Sequence, residues 1–173
     1  TTIFFFGGYS SDMTGTKATA LNNWTESNGI NYLRFDYSGH GQSSGDLGKG
    51  TLSSWLGEAE FFFEKFKSKK NIIIGSSMGG WIALLTALKN IDVNGLIGIA
   101  SAPDFTKNEW DRLSETEKGE LKSNGSILFS DDDYGDYEVF YKFVKDGFQH
   151  EILNDKIEIT CPVRLLHGKL DKV

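Results

Sequence analysis

Cysteine occurs once in this chain, at Cys161. A single thiol excludes an intrachain disulfide and any cysteine-rich zinc module, and it suits a reducing compartment such as a bacterial cytoplasm, with a mitochondrial matrix as the alternative. Basic side chains are in deficit, 18 against 24 acidic ones, which gives a formal net charge of −6. That balance argues against a partner made of nucleic acid or an anionic membrane surface. No apolar run reaches the roughly 18 residues that a membrane-spanning helix needs. No phosphate-cradling G-x-x-x-x-G-K-[ST] loop and no metal-ligand cluster is visible, so no cofactor and no metal is expected. No basic-then-apolar leader opens the sequence. The chain nevertheless begins without Met inside the apolar run TTIFFF and stops at DKV, so it reads as a section of a longer protein.

What is present describes an ordinary globule: 39% hydrophobic and 24% charged residues over 173 positions. The length fits one domain with one core, taken as residues 1–173. Along it, short apolar runs alternate with helically spaced segments. Ile3 to Phe6 reads as a buried strand that exits through Gly7-Gly8, and residues 15 to 28 as a helix stopped by Asn28-Gly29. Tyr32 to Phe35 is the next strand, followed by the loop SGHGQSSGDLGKG. Leu52, Trp55, Leu56, Ala59, Phe62, Phe63 and Phe66 form one stripe of a helix, with lysines toward its end where cations suit the dipole. Asn71 to Gly75, Leu96 to Ala100 and Val163 to Leu166 read as further strands, and Met78 to Lys89 as a helix. Short strands alternating with helices predict a mostly parallel sheet covered on both faces.

Residues 103 to 158 break this rhythm. They are acidic and aromatic-rich, with two capping-box patterns, Thr106 to Glu109 and Ser114 to Glu117, and a turn at residues 131–135. Phe140, Phe143, Val144 and Phe148 are helically spaced. About 50 residues between two sheet strands are too many for a plain connection and predict a small helical cap, with 1–102 and 159–173 as the core.

Gly75-Ser76-Ser77-Met78-Gly79 is a G-x-S-x-G placed where an apolar strand turns sharply into a helix. That context is what a nucleophile elbow requires. The serine must project above the sheet from a strained turn, and the small residues two before and two after it let strand and helix approach. Ser77 is therefore the candidate nucleophile, framed by Gly75 and Gly79, while Ser76 is out of register. Acyl transfer also needs donors for an oxyanion. The N–H of Met78 is one candidate, and the N–H of Tyr9, in the glycine-rich exit of the first strand, is the second.

At these residues the chain resembles the α/β-hydrolase superfamily. FGGYSSDMTGTKA, LRFDYSGHGQSSGD, IIIGSSMGGWIALL, GLIGIASAPDFT and CPVRLLHGKLD match, in order, landmarks of a group of bacterial hydrolases and their mitochondrial relatives, which act as palmitoyl-protein thioesterases and acyl-glucuronide esterases. The resemblance implies an α/β-hydrolase fold and a serine that attacks an ester or thioester carbonyl. It also implies a triad acid in an H-G-x-x-D turn, which here makes Asp171 the acid. The position of Asp171, just after an apolar strand at the carboxyl end of the sheet, agrees. Asp36, Asp46 and Asp104 are alternatives, Asp36 reading better as a structural carboxylate for the SGHGQS loop. The triad histidine should follow the acid in the chain. His40, His150 and His167 all precede Asp171, so the base is expected beyond Val173, with recruitment of His150 as a rival.

The cap aromatics Trp110, Tyr134, Tyr137, Phe140 and Phe143, with Tyr9 and Trp81, are candidates for an acyl pocket. Cys161 reads as a buried strand-start residue without a basic neighbour to activate it. The expected activity is hydrolysis of carboxylic esters or acyl-thioesters through an acyl-enzyme, on a small acyl substrate or an acylated protein. A non-catalytic binding module on the same fold, or lyase or perhydrolase chemistry, stays open.

Overall fold

A computed structural model of the chain describes residues 1–131 and 135–171. Four parallel strands come first: β1 (Thr2–Phe6), β2 (Asn31–Arg34), β3 (Asn71–Ser76) and β4 (Val93–Ile99). They are joined by α1 (Thr16–Ser27), α2 (Leu52–Phe66) and α3 (Met78–Lys89). The excursion after β4 carries α4 (Phe105–Arg112), α5 (Glu115–Asn124), an antiparallel hairpin of β5 (Ser126–Asp131) and β6 (Gly135–Phe140), and α6 (Tyr141–Gly147). The chain then returns to the sheet as β7 (Val163–Leu166), and the sheet order is β2-β1-β3-β4-β7, parallel throughout.

The alternation of side chains along β1 sorts the core into two layers. Phe4 and Phe6 point to one face with Ile73 of β3, where Trp55, Leu56, Ala59 and Phe63 of α2 and Trp81 and Ile82 of α3 cover them. Ile3 and Phe5 point to the other face, against Ala18 and Leu21 of α1. Every residue of β1 is buried, which is why it reads as an unbroken apolar run. Deleting a fully buried aromatic such as Phe4 from such a layer typically costs about 3–5 kcal/mol.

Most boundaries fall within a residue or two of the sequence pattern, and α3 and β7 coincide with it. β4 starts three residues earlier than expected, at Val93. Asn94 and Gly95 look like turn residues, yet the Asn94 side chain accepts the Asn71 N–H at 2.7 Å and so knits the strand start to β3. The excursion is helical as expected and adds the β5–β6 hairpin; residues 132–134 of the expected turn lie outside the described residues. The Ser114–Glu117 capping box forms. The Thr106–Glu109 box does not, because α4 already begins at Phe105 and Thr106 is buried inside it.

The sheet topology locates the site. From β1 the chain moves outward to the edge strand β2, then crosses back to the central β3 on the opposite side of β1. The segments leaving β1 and β3 therefore diverge at their carboxyl ends, and a crevice opens between them, the place where open parallel sheets bind their ligands.

Candidate active site

Ser77 sits at the head of that crevice, between β3 and α3. Its backbone is in the positive-φ region, φ 54° and ψ −123°, which a non-glycine residue adopts only when its surroundings hold it there. The restraint comes from β4 and the segment after it. The Ser77 N–H donates to the Ile99 carbonyl at 3.1 Å, and the Ser77 carbonyl accepts from Gly80 at 2.8 Å and from Ala102 at 3.2 Å. The Ser77 side chain does not cap α3. The framing glycines are required by close approach: a methyl group on Gly79 would fall onto the Phe6 carbonyl, and one on Gly75 onto the Gly79 carbonyl.

Met78 is the first residue of α3 and fully buried; its N–H belongs to the first-turn donors that no intrahelical carbonyl can satisfy. Across the crevice, the turn after β1 is closed by Ser11, whose N–H and hydroxyl both donate to the Gly8 carbonyl, at 3.3 and 2.7 Å. A Cβ on Gly8 would lie 3.2 Å from the Cβ of Ser77, so this turn passes directly beside the serine. Among the described residues the Tyr9 N–H has no acceptor. The Tyr9 ring reaches away from it: it stacks on Phe143 with centroids 5.0 Å apart, and its hydroxyl donates to the Glu138 carbonyl of β6 at 2.8 Å. Burial, with the Glu138 carboxylate adding to it, holds the Tyr9 hydroxyl well above its ordinary pKa.

A cleft of about 1410 Å³ opens over Ser77, its walls including Tyr9, Ser101, Phe105, Leu153, His167 and Asp171. A smaller one of about 320 Å³ lies on the α1 side and includes Phe5, Ser11, Asp12 and Lys17; both reach Ser76 and Ser77. Asp171 thus shares the larger cleft with Ser77. Its side chain is largely buried and its Oδ2 lies 3.8 Å from Nε2 of the half-exposed His167. The other carboxylates are engaged elsewhere. Asp36 accepts the N–H groups of Met13 and Gln42, joining the turn after β1 to the SGHGQS loop. Asp46 caps a short 3-10 turn through Gly48 N–H, and Asp104 accepts the N–H groups of Ile152 and Leu153.

The three histidines separate clearly. His40 is buried among Tyr9, Tyr37 and Trp55, its pKa lowered chiefly by burial. His150 lies against Ser53, with Nε2 at 2.7 Å from the hydroxyl, while Asp146 accepts the Ser53 N–H and hydroxyl. Of the three, His167 alone lines the cleft.

The wall aromatics differ from the expected set. Tyr9 and Tyr137 line the cleft, and Phe105 joins them. Trp81 and Phe143 are fully buried in the core instead, and Phe140 packs against that core. Trp110 belongs to a separate cluster inside the excursion, with Leu121, Val139 and Val144. Their helical spacing reports burial, not ligand contact, and Tyr134 lies outside the described residues. Phe105 and Leu153 had no signal in the sequence, because only the folding of the excursion brings them over Ser77. Cys161 is half-buried, and burial raises its pKa, which keeps it a thiol. No helix among the described residues is long and apolar enough to cross a membrane.

A parallel sheet with a strained serine at the crevice beside its central strand defines an α/β-hydrolase. Residues 1–127 match the hydrolase family described as serine aminopeptidase, S33, and the chain belongs to that family. It is 37% identical over 174 residues to palmitoyl-protein thioesterase ABHD10, mitochondrial, of Rattus norvegicus, a match that takes in 99% of this chain and 59% of the relative. The chain therefore spans a little under three fifths of the length of that relative. A solved hydrolase structure from Agrobacterium vitis S4 superposes with a TM-score of 0.89 at 38% identity, over 95% of this chain and 66% of that one. The mouse α/β hydrolase domain-containing protein 10 also gives 0.89, at 34% identity, over 99% of this chain and 70% of that one.

Proposed function

We propose that the protein of which these residues form part is a serine hydrolase that cleaves carboxylic esters or acyl-thioesters. The observation that carries the reading is Ser77: a positive-φ serine between β3 and α3, beside the turn after β1 and at the junction of two clefts. The similarity to a palmitoyl-protein thioesterase supports acyl substrates over the peptides that the family description suggests.

In this mechanism Ser77 attacks the acyl carbonyl and forms an acyl-enzyme, which water then hydrolyses. The N–H groups of Met78 and Tyr9 stabilise the oxyanion; both are backbone donors without a competing acceptor among the described residues, and their preorganisation is what lowers the barrier. Asp171 orients the general base. The base itself is a histidine outside residues 1–173, since His40 is buried beside Tyr9, Tyr37 and Trp55, His150 is bound to Ser53, and His167 precedes the acid. The acyl chain lies in the larger cleft, under a cap formed by residues 103–158 of a single domain, and the substrate is a small acyl ester, an acyl-thioester or an acylated protein. Relatives occur both in a bacterium and in mitochondria, the two settings considered for this chain.

The test is labelling of the full-length protein with a fluorophosphonate probe, beside Ser77→Ala and His167→Gln. Labelling of wild type and His167→Gln, but not of Ser77→Ala, is the expected result. Absence of labelling in wild type overturns the reading in favour of a binding module, and loss in His167→Gln transfers the base role to that residue.

A further inference from the structure

We infer that Asp104 is a positioning residue: a buried clasp that ties the two ends of the cap together and thereby sets the wall of the acyl cleft. The inference rests on the serine hydrolase reading for its effect on substrate, though not for its geometry.

Asp104 lies immediately before α4 and is 4% exposed. It adopts the left-handed conformation, φ 57° and ψ 18°, which an L-residue holds only where something offsets its cost. Its backbone carbonyl does the ordinary work of starting α4, accepting from Lys107 at 2.9 Å and Asn108 at 3.3 Å. Its carboxylate does not cap that helix. It turns across to the returning chain instead, where the Ile152 N–H lies 3.0 Å from both oxygens and the Leu153 N–H donates to Oδ2 at 2.8 Å. Hydrogen bonds from backbone N–H groups to a carboxylate are among the strong ones, and losing the acceptor leaves two partly buried donors unsatisfied.

Both segments joined by this clasp line the cleft. Phe105, Asn108 and Arg112 come from α4, and Leu153 comes from the return. The clasp is also two residues from Ala102, whose N–H donates to the Ser77 carbonyl. A further tie lies just before Ile152, where the His150 carbonyl accepts Nε1–H of Trp81 on α3. The separation of wall and serine is therefore fixed through a short, hydrogen-bonded path. A long acyl chain needs that wall; an acetyl group needs only the serine and the oxyanion donors.

The experiment compares wild type and Asp104→Asn in the full-length protein on p-nitrophenyl acetate and p-nitrophenyl dodecanoate. Asparagine tolerates the left-handed conformation, but its amide presents one acceptor oxygen and sets an NH2 group against a second donor. KM for the dodecanoate should rise by about tenfold while kcat on the acetate and the rate of fluorophosphonate labelling stay within about twofold. An equal change on both esters, or none on either, overturns the inference. Hydrogen exchange of the wild type tests the clasp without any variant. The Ile152 and Leu153 amides should exchange slowly, and exchange at the rate of an open loop overturns the clasp even where Asp104→Asn does not fold. Should wild type fail to label at Ser77, the hydrolase reading falls, and the exchange measurement still decides whether the clasp exists.

Discussion

The ring of Tyr9 lies flat on that of Phe143, with centroids 5.0 Å apart and planes within 5°. Tyr9 belongs to the turn after β1 and Phe143 to α6, so this stack joins the proposed oxyanion donor to the cap. The Tyr9 hydroxyl adds a second bond in the same direction, to Glu138 of β6.

Tyr9→Phe removes that bond and keeps the stack. Stability should fall by about 1 kcal/mol, read as a lower denaturant midpoint with an unchanged slope, and kcat on a short ester should change by less than about threefold. Tyr9→Ala, which also removes the stack, should lose clearly more of both. Equal effects of the two variants would show that the stack contributes nothing.

Gly8→Ala tests the approach of this turn to the serine. The added Cβ would meet the Ser77 Cβ at 3.2 Å and the Ser76 carbonyl at 3.4 Å, so the turn must shift by a few tenths of an ångström. Because removal of one oxyanion donor costs about 10²–10³ in kcat, even partial displacement should lower kcat by at least about tenfold with KM little changed. A wild-type kcat would remove Tyr9 N–H from the mechanism.

His40 makes stability depend on pH. Burial lowers its pKa in the folded protein, so the fold holds it neutral while the unfolded chain takes up a proton near the ordinary imidazole value of about 6.5. The unfolded state then binds more protons, and the stability due to this residue is fully present above about pH 6.5 and lost as pH falls through the lower folded value. Urea melts of wild type should therefore weaken between pH 7.5 and 5 more steeply than those of His40→Gln. Parallel slopes would show that His40 titrates alike in both states.

The strands and the elbow were legible because their causes are local. TIFFF and NIIIGS are buried on both faces, and a sharp strand-to-helix turn demands small residues at fixed offsets from Ser77, whatever the rest of the chain does. The cap was legible as helical, but its contribution to the cleft was not. Leu153 and Phe105 line one cleft with Ser77 because Asp104 bonds to residues nearly fifty positions away, and no periodicity encodes such a contact. Thr106 illustrates the converse. Its spacing to Glu109 has the form of a capping box, yet tertiary packing buries its hydroxyl against Gly147 and moves the helix start to Phe105. Trp110, Phe140, Phe143 and Trp81 repeat the point: helical spacing marks an apolar face without saying whether core or ligand covers it.

Besides the local bond from Gly80, the peptide groups of Ser77 are tied to Ile99 and Ala102, more than twenty residues downstream. The conformation of Ser77 is thus held in part from outside the β3–α3 segment, by ties that form when β4 docks and the chain behind it closes. During refolding of the full-length protein, recovery of probe labelling at Ser77 should lag the recovery of far-ultraviolet circular dichroism, and simultaneous recovery would show a self-sufficient elbow. A chain still emerging without β4 would lack both of these ties, so the proposed nucleophile would be armed only by completion of its own sheet.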